Sequence, residues 1–252
     1  MSHATELVRR FGSREGVVGV IGLGYVGLPL SCTIVEAGLR VIGFDVDPAK
    51  VERLGRGESY IRHIDAQRVR ALLAKGERLE DLAAPGAGAG FRPTTDFSKL
   101  SLCDAILICV PTPLTEGREP DLSYVRGTAE QVAERLRPGQ LVVLESTTYP
   151  GTTEEVVQPA LERGGFRVGR DVHLAFSPER EDPGNPRFST RTTPKIVGGV
   201  TPACGEAAVA LYSCFVEKVV PVSSARVAEA AKLLENVYRG VNIALVNELK
   251  ML

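Results

Sequence analysis

A glycine-rich turn between a short apolar run and a helical pattern constrains the fold of this chain more than any other feature. The apolar run Val17–Ile21 predicts a buried strand, and Val26–Ala37 predicts a helix. Between them, Gly22-Leu23-Gly24-Tyr25-Val26-Gly27 has the spacing GxGxxG. A strand, this glycine spacing and a helix in succession are typical of a dinucleotide-binding α/β unit. The alternative is a glycine-rich turn that binds nothing.

Each glycine of this turn has a separate physical role in the predicted unit. Gly22 permits the tight turn, Gly24 lets the backbone approach a pyrophosphate, and Gly27 lets helix and strand pack closely. A pyrophosphate at the helix N-terminus meets amide hydrogens and the positive end of the helix dipole. We therefore predict cofactor-binding roles for the three glycines and for Tyr25 and Val26, which lie at the helix start.

An acidic residue after the second strand indicates which dinucleotide is bound. Asp45 ends the apolar run Val41–Asp45, eighteen residues after Gly27. A carboxylate at this position accepts hydrogen bonds from the adenosine ribose and repels a 2′-phosphate, which favours NAD over NADP. Lys50 follows a few residues later, and this cation leaves tolerance of a 2′-phosphate open. We include both side chains in the predicted NAD site, although Asp45 could serve only as a cap.

Apolar runs of strand length alternate with helical patterns along the chain, as in βαβ units. The alternation predicts an α/β fold, a Rossmann-type doubly wound and mostly parallel sheet. Asp65–Leu82 is predicted to be helical, and Ala83–Gly90 to be a surface connection. Thr152 and Glu155 have the spacing of a capping box that starts a helix near Thr153. The further predicted strands are Ala105–Val110, Leu141–Leu144, Val172–Phe176, Ile196–Val200 and Val219–Val222.

The last stretch of the chain predicts one long helix. Arg226 to Leu252 contains no proline and a single glycine, Gly240, and its apolar residues recur at helical spacing. We expect residues 1–222 to form the NAD-binding domain and residues 223–252 to form the start of a connecting helix. Because this helix is still amphipathic at its last residue, we expect the natural chain to continue beyond it.

Composition and charge exclude several classes of protein. The formal net charge is −1, so no positive field attracts nucleic acid or anionic lipid. No segment approaches the roughly 20 apolar residues of a membrane helix, and the N-terminus lacks the apolar run of a signal peptide. The five cysteines form no CxxC pair, and the three histidines have no metal-ligand spacing. We expect a cytoplasmic protein with no metal, no disulfide framework, and neither nucleic acid nor membrane as a partner.

Five motifs occur in order along the chain, and together they carry a family resemblance. They are VIGLGYVGLPL at Val20–Leu30, CVPTP at Cys109–Pro113, ESTTYPGTT at Glu145–Thr153, SPEREDPG at Ser177–Gly184 and AKLLEN at Ala231–Asn236. In this order and spacing they resemble the UDP-glucose/GDP-mannose dehydrogenase family, from Val17 onward. SPEREDPG is most similar to members acting on UDP-N-acetylhexosamines, especially UDP-N-acetylglucosamine. UDP-glucose is the alternative substrate.

The resemblance implies a particular reaction. Members of the family oxidise the C6 hydroxymethyl of a UDP-sugar to a carboxylate and pass two hydrides to two NAD molecules. An active-site cysteine forms a thiohemiacetal and then a thioester, which water hydrolyses. This chemistry needs a thiolate, donors for an oxyanion and a held water molecule. Relatives of this kind usually supply precursors of surface polysaccharides.

The resemblance also implies roles for individual residues. Lys232 and Asn236 match a helix pair whose side chains, at i and i+4, face one developing oxyanion. Thr147 matches the threonine that helps hold the hydrolytic water, and we also place it beside the cofactor. Glu179 matches the glutamate assigned to thioester hydrolysis, and Thr112 matches a residue near the cofactor. Without the motifs, each of these would be an ordinary loop or helix residue.

Three roles stay open from the sequence. Members that act on UDP-glucose carry a second carboxylate where this chain has Pro183, so we leave that role between Glu181 and Asp182. Glu145 either reaches the nicotinamide region or orients the turn that follows it. Arg180 either contacts the substrate or solvates its loop.

Part of the family's machinery is missing from these residues. The family's nucleophilic cysteine lies in a GGHC-type motif beyond the long helix, and this sequence contains no such motif. The C-terminal UDP-binding domain is absent as well. We expect the 252 residues to bind NAD, to turn over no UDP-sugar alone, and to form a homodimer through the C-terminal helix. A non-catalytic NAD-binding module is the competing interpretation.

Overall fold

The computed structural model describes residues 2–62, 64–74, 78–179 and 189–252. In these residues one sheet has the strand order β3-β2-β1-β4-β5-β6-β7-β8. The strands are β1 Val17–Ile21, β2 Arg40–Phe44, β3 Gly90–Thr94, β4 Ala105–Ile108, β5 Leu141–Leu144, β6 His173–Phe176, β7 Lys195–Gly199 and β8 Val219–Val222. All neighbouring strands pair in parallel except β6 and β7, which are antiparallel. The order begins as in dinucleotide-binding folds, and the predicted fold class is confirmed.

Helices cover both faces of this sheet. They are α1 His3–Gly12, α2 Gly27–Glu36, α3 Pro48–Gly55, α4 Ala66–Leu72, α5 Leu79–Ala83, α6 Ser123–Ala133, α7 Gln158–Glu162, α8 Pro202–Tyr212 and α9 Ala225–Met251, with a 3-10 turn at Phe97–Leu102 and a π-helical turn at Thr153–Val157. On β1, Val18 and Val20 pack in the apolar cluster that contains α2 and α8. Val17 and Ile21 pack in the opposite cluster, which contains α6 and α7. The central strands are therefore buried on both faces, as their continuous apolar sequences predicted.

Two segments near the sheet edge differ from the sequence prediction. Asp65–Leu82 is not one helix, because α4 ends where Leu73 adopts an extended conformation and bridges to Phe91. The edge strand β3 was missed, and Pro93 within it explains why, since proline weakens a strand pattern. Helix α1 was also missed, although Ala4, Leu7 and Phe11 form one buried apolar face on it.

The predicted capping box at Thr152 and Glu155 is wrong. The Thr152 hydroxyl donates to the carbonyl oxygen of Tyr149, and Thr152 makes no capping hydrogen bond. A carboxylate from α9, that of Glu229, accepts the amide hydrogens of Gly151 and Thr153 instead. A distant residue therefore performs the function that the local spacing assigned to Thr152.

Helix α9 forms as predicted, and its two halves have different surroundings. Ser224 caps its start, and the early residues Ala225, Ala228, Glu229 and Lys232 are buried. Beyond them the apolar side chains are exposed, including Leu233, Leu234, Val237, Val241, Leu245 and Leu249. Among the described residues, no helix has the length and hydropathy needed to span a bilayer.

Candidate cofactor groove and active site

The phosphate turn joins β1 to α2, and its three glycines have three different surroundings. Gly22 has a φ of +92°, and a Cβ there would lie 2.6 Å from the carbonyl oxygen of Cys109. A Cβ on Gly27 would lie 1.9 Å from the carbonyl oxygen of Gly22, so α2 begins directly against the turn. A Cβ on Gly24 would meet no atom within 4 Å. The backbone is therefore open at Gly24, where a diphosphate needs to approach it.

The start of α2 has no side-chain cap. Its N-cap residue, Val26, makes no capping hydrogen bond, and its first turn contains no acidic residue. Helices α1, α3, α4, α8 and α9 begin instead with a Ser, Asp or Thr side chain that accepts a first-turn amide hydrogen. An uncapped N-terminus with no nearby carboxylate in its first turn suits an anionic ligand.

A groove of about 660 Å³ opens beside the phosphate turn. The turn, the end of β2, the segment after β4 and helix α6 form its walls. Its volume is in the range of small-molecule sites, about 300–1,000 Å³. Five of the predicted cofactor residues line it, namely Gly22, Gly24, Tyr25, Asp45 and Lys50. The other four, Val26, Gly27, Thr112 and Thr147, lie outside its lining.

Asp45 is buried at the end of β2, where the phosphate turn itself holds it. Its Oδ2 accepts the amide hydrogen of Leu23 at 2.9 Å, and its Oδ1 accepts that of Asp47 at 3.0 Å. The Nζ of Lys50 lies 3.4 Å from Oδ2. The carboxylate is therefore fixed at the groove wall, and its remaining lone pairs are available to ribose hydroxyls.

Sequence reasoning missed the wall of the groove that α6 provides. Ser123, Gly127 and Gln131 recur every four residues along this wall, and Tyr124 and Thr128 lie beside them. A glycine inside a helix is destabilising by about 1 kcal/mol relative to alanine, and one reason to keep it is the close approach of another group. A Cβ on Gly127 would meet no atom within 4 Å, so the protein itself does not require glycine there. Gly127, a glycine in the interior of a predicted helix, was the sequence feature that could have indicated that this side of α6 lines a groove.

A second cluster lies at the carboxyl ends of β5 and β6. Thr147 follows β5, and Glu179 follows β6. The Nζ of Lys232 donates to the carbonyl oxygen of Glu179 at 2.9 Å and lies 3.7 Å from Glu179 Oε2. The Thr112 hydroxyl donates to the carbonyl oxygen of Thr147 at 2.8 Å. The structure therefore brings Lys232 to Glu179 and Thr112 to Thr147, at the edge where α/β folds bind ligands.

The charge on Glu179 is tuned by its surroundings. Burial raises the pKa of this carboxyl group above its ordinary value, and the ammonium groups of Lys232 and Lys195 oppose the rise. A carboxylate with a raised pKa takes a proton from water more readily than an exposed one. The arrangement is suited to general base chemistry.

Glu145, whose role the sequence left open, is buried beneath this cluster. Its Oε2 lies 2.5 Å from Lys195 Nζ, and its Oε1 accepts a hydrogen bond from the Tyr212 hydroxyl. Lys195 also donates to the carbonyl oxygen of Pro178 at 3.0 Å. These contacts favour the role in which Glu145 orients the turn after it. Lys195 carried no sequence signal, because a lysine at a strand start is normally exposed.

Comparison with known proteins decides the family. A sequence model for the NAD binding domain of the UDP-glucose/GDP-mannose dehydrogenase family matches residues 17–216. The chain belongs to this family. Its cofactor is NAD, as the carboxylate of Asp45 predicted.

The relatives of this chain within the family include dehydrogenases of N-acetylated nucleotide sugars. UDP-N-acetyl-D-mannosamine dehydrogenase of Yersinia pestis is 36% identical over 244 residues, which cover 93% of this chain and 54% of that protein. UDP-N-acetyl-D-glucosamine 6-dehydrogenase of Pseudomonas aeruginosa is 36% identical over 239 residues, which cover 93% and 52%. The crystal structure of NDP-N-acetyl-D-galactosaminuronic acid dehydrogenase from Methanosarcina mazei Go1 has a TM-score of 0.80 at 34% identity, covering 99% and 52%. The chain spans about half the length of these relatives.

The remaining residues that the family resemblance singled out are not part of the contacts described above. Asn236 lies on α9 one turn beyond Lys232, and its side chain is exposed. Its role at an oxyanion stays a prediction. The open roles of Arg180, Glu181, Asp182 and Pro183 fall outside the described residues.

The cysteines of this family member have the character of structural thiols. All five are free of disulfide bonds in the described residues. Burial raises the pKa of Cys103, Cys109 and Cys214, which favours the thiol over the nucleophilic thiolate. Cys204 is buried, and its Sγ accepts the amide hydrogen of Leu174 at 3.2 Å. Cys109 and Cys214 are partly exposed, but the pKa of each thiol is raised, whereas reactive cysteines have a lowered pKa.

Proposed function

We propose that this chain is the NAD-binding part of an NAD-dependent UDP-N-acetylhexosamine 6-dehydrogenase. The observation that carries the proposal is the pairing of Lys232 with Glu179 at the strand ends of a domain that binds NAD. The relatives named above act on N-acetylated sugars, and the SPEREDPG motif favours UDP-N-acetylglucosamine among them. The product is the corresponding uronic acid, a precursor for polysaccharide synthesis.

The groove beside the phosphate turn binds the adenosine half of the cofactor in this proposal. Gly24 admits the diphosphate, the start of α2 stabilises its charge, and Asp45 accepts hydrogen bonds from the adenosine ribose. Lys50 lies beside the Asp45 carboxylate and helps to position it. Bound NAD supplies the hydride acceptor for each of two oxidation steps.

The cluster at the strand ends supplies the groups that act on the sugar. Lys232, together with Asn236 one turn away, stabilises an oxyanion at the reacting carbon. Glu179 takes a proton from the attacking water, which its raised pKa permits. Thr147 helps to hold that water, and Thr112 fixes the Thr147 backbone. The balanced reaction consumes one CH₂OH group, two NAD⁺ and one water, and yields one carboxylate, two NADH and three protons.

The covalent step of the reaction that the resemblance implies needs a thiolate as its nucleophile. Burial raises the pKa of Cys103, Cys109 and Cys214, which disfavours their thiolates, and the family resemblance implies a nucleophile in a GGHC-type motif that these 252 residues do not contain. The NAD-binding domain then corresponds to residues 1–222 and the connecting helix to residues 223–252. The exposed apolar side of α9 suits a homodimer contact. The absence of disulfide bonds among the five cysteines of the described residues fits a reducing compartment, which supports a cytoplasmic enzyme.

Formation of NADH by the complete gene product tests the proposal. UDP-N-acetylglucosamine, UDP-N-acetylmannosamine, UDP-N-acetylgalactosamine and UDP-glucose are supplied separately, and absorbance measures the NADH produced per sugar consumed. We expect two NADH per molecule of an N-acetylated substrate and a much lower kcat/KM with UDP-glucose. The 252-residue chain alone serves as the comparison, and we expect no turnover from it. Binding of NAD without oxidation of any UDP-sugar by the complete product would overturn the proposal.

A further inference from the structure

Lys195 is a cation enclosed inside the domain at the start of β7. The whole residue is 2% exposed, which is rare for a lysine. Its Nζ lies 2.5 Å from Glu145 Oε2, donates to the Pro178 carbonyl oxygen at 3.0 Å, and lies 5.2 Å from the centre of the Tyr212 ring. A buried ammonium is costly unless its partners hold it in a favourable geometry. Lys195 and these partners therefore hold one another in position.

The two oxygen partners of Lys195 lie at the bases of the two candidate catalytic segments. Glu145 directly follows β5 and precedes Thr147 by two residues. Pro178 directly precedes Glu179 after β6. One ammonium group therefore contacts both segments from below, while Thr112 holds the Thr147 backbone from the β4 side. A displacement of Lys195 would change the separation of the Thr147 and Glu179 segments.

We propose that Lys195 is a positioning residue that sets the distance between the Thr147 turn and Glu179. This inference depends on the proposed function, because it concerns the same catalytic groups. Lys195 does not touch substrate or cofactor in this proposal, and it acts through Glu145 and Pro178. Misplacement of catalytic groups by about 1 Å reduces a rate by about 100-fold. The activity of the enzyme is therefore expected to fall when the Lys195 ammonium is lost, even in a variant that keeps its stability.

Two variants separate a positioning role from a merely stabilising one. Lys195→Met alone leaves the Glu145 carboxylate buried without its cation, which is strongly destabilising. The double variant Glu145→Gln/Lys195→Met contains no unpaired charge, and such neutral replacements of buried ion pairs often retain stability. The amide introduced by Glu145→Gln also keeps an acceptor for the Tyr212 hydroxyl. Lys218→Met is the matched control, because the Lys218 side chain is exposed while its carbonyl oxygen pairs with the Lys195 amide.

The experiment measures kcat, KM for the UDP-sugar, the Kd for NAD and the midpoint of thermal unfolding in the complete gene product. We expect the double variant to keep the unfolding midpoint and the Kd for NAD close to wild type, while kcat falls by about 100-fold. Lys218→Met is expected to match wild type in all four quantities. A folded double variant with kcat within threefold of wild type overturns the proposal, as does a parallel weakening of NAD binding.

Hydrogen exchange on the 252-residue chain gives a second readout that needs no activity. In the double variant we expect amide protection to fall together in the Ser146–Tyr149 and Ser177–Glu179 segments, and to be retained within β5. Unchanged protection in both segments overturns the proposal even if the activity is lost. If wild type oxidises no UDP-sugar, the proposed function has failed, and the exchange result alone then decides whether Lys195 positions the two segments.

Discussion

Replacement of Glu229 by alanine tests how strongly α9 holds the turn beyond Thr147. The Glu229 side chain is fully buried and accepts hydrogen bonds from the Gly151 amide at 2.6 Å, the Thr153 amide at 2.9 Å and the Thr153 hydroxyl at 2.6 Å. Alanine leaves both amides without this acceptor, at about 1–3 kcal/mol for each. Burial raises the pKa of Glu229, so alanine also removes a desolvation penalty at neutral pH. We expect a net loss of about 3 kcal/mol in the free energy of unfolding.

Thermal and urea unfolding, followed by circular dichroism, measure this loss in the 252-residue chain. A loss of about 3 kcal/mol lowers Tm by about 6–12 °C for a domain of this size. Glu248→Ala is the matched control, because Glu248 is an exposed carboxylate on the same helix. We expect it to change stability by less than about 0.5 kcal/mol. A Glu229→Ala loss no larger than that of the control would refute the assigned capping role.

Three further outcomes follow from the same structure. Gly27→Ala places a Cβ 1.9 Å from a backbone oxygen, so calorimetry should detect no binding of NAD. The control is Gly240→Ala, whose Cβ meets nothing within 4 Å. This control should bind NAD normally and gain about 1 kcal/mol of helix stability. Asp45→Ser removes the carboxylate beside Lys50, so the ratio of NADP to NAD affinity should rise at least tenfold in competition binding; an unchanged ratio would count against Asp45 as the selective group. Because burial raises the folded-state pKa of Glu229 above 4.5, the part of its stabilisation that depends on protonation is fully present below that pH and is lost as the pH rises through the folded value. The advantage of wild type over Glu229→Gln in urea unfolding should therefore shrink from about pH 4 to pH 7, and an advantage that grows would contradict the assignment.

Part of the lining of the groove beside the phosphate turn was predictable, because those residues are close together in sequence. Contacts within the structure require glycine at Gly22 and Gly27, while Gly24 leaves the backbone open, and the three together are visible in the sequence as a spacing. The role of Asp45 was predictable because one βαβ unit places the end of its second strand a fixed distance in sequence beyond the glycines. The wall that α6 provides was missed because the distance between α6 and the phosphate turn depends on the pairing of β4 with β1. No local sequence pattern predicts that pairing.

The parts of the site that could not be predicted are those made by long-range burial. Lysine is a residue type that normally lies at the surface. Lys195 is buried because it belongs to β7, which pairs with β6 in the sheet. Glu229 belongs to α9 but caps a turn that lies 76 residues earlier at Thr153. A single sequence shows neither pairing, because the tertiary packing that makes a buried charge favourable is not encoded in spacing.

Titration of NAD into the 252-residue chain by calorimetry, in wild type and in Gly24→Val, tests the central claim most directly. Gly24 does not have a positive φ, and a Cβ there meets nothing within 4 Å, so the variant is expected to fold with an unchanged Tm. The same Cβ projects where the diphosphate must approach the backbone. We predict saturable binding of NAD to wild type and none to Gly24→Val. Equal binding by the two proteins, or no binding by folded wild type, would contradict the assignment of this turn to the cofactor.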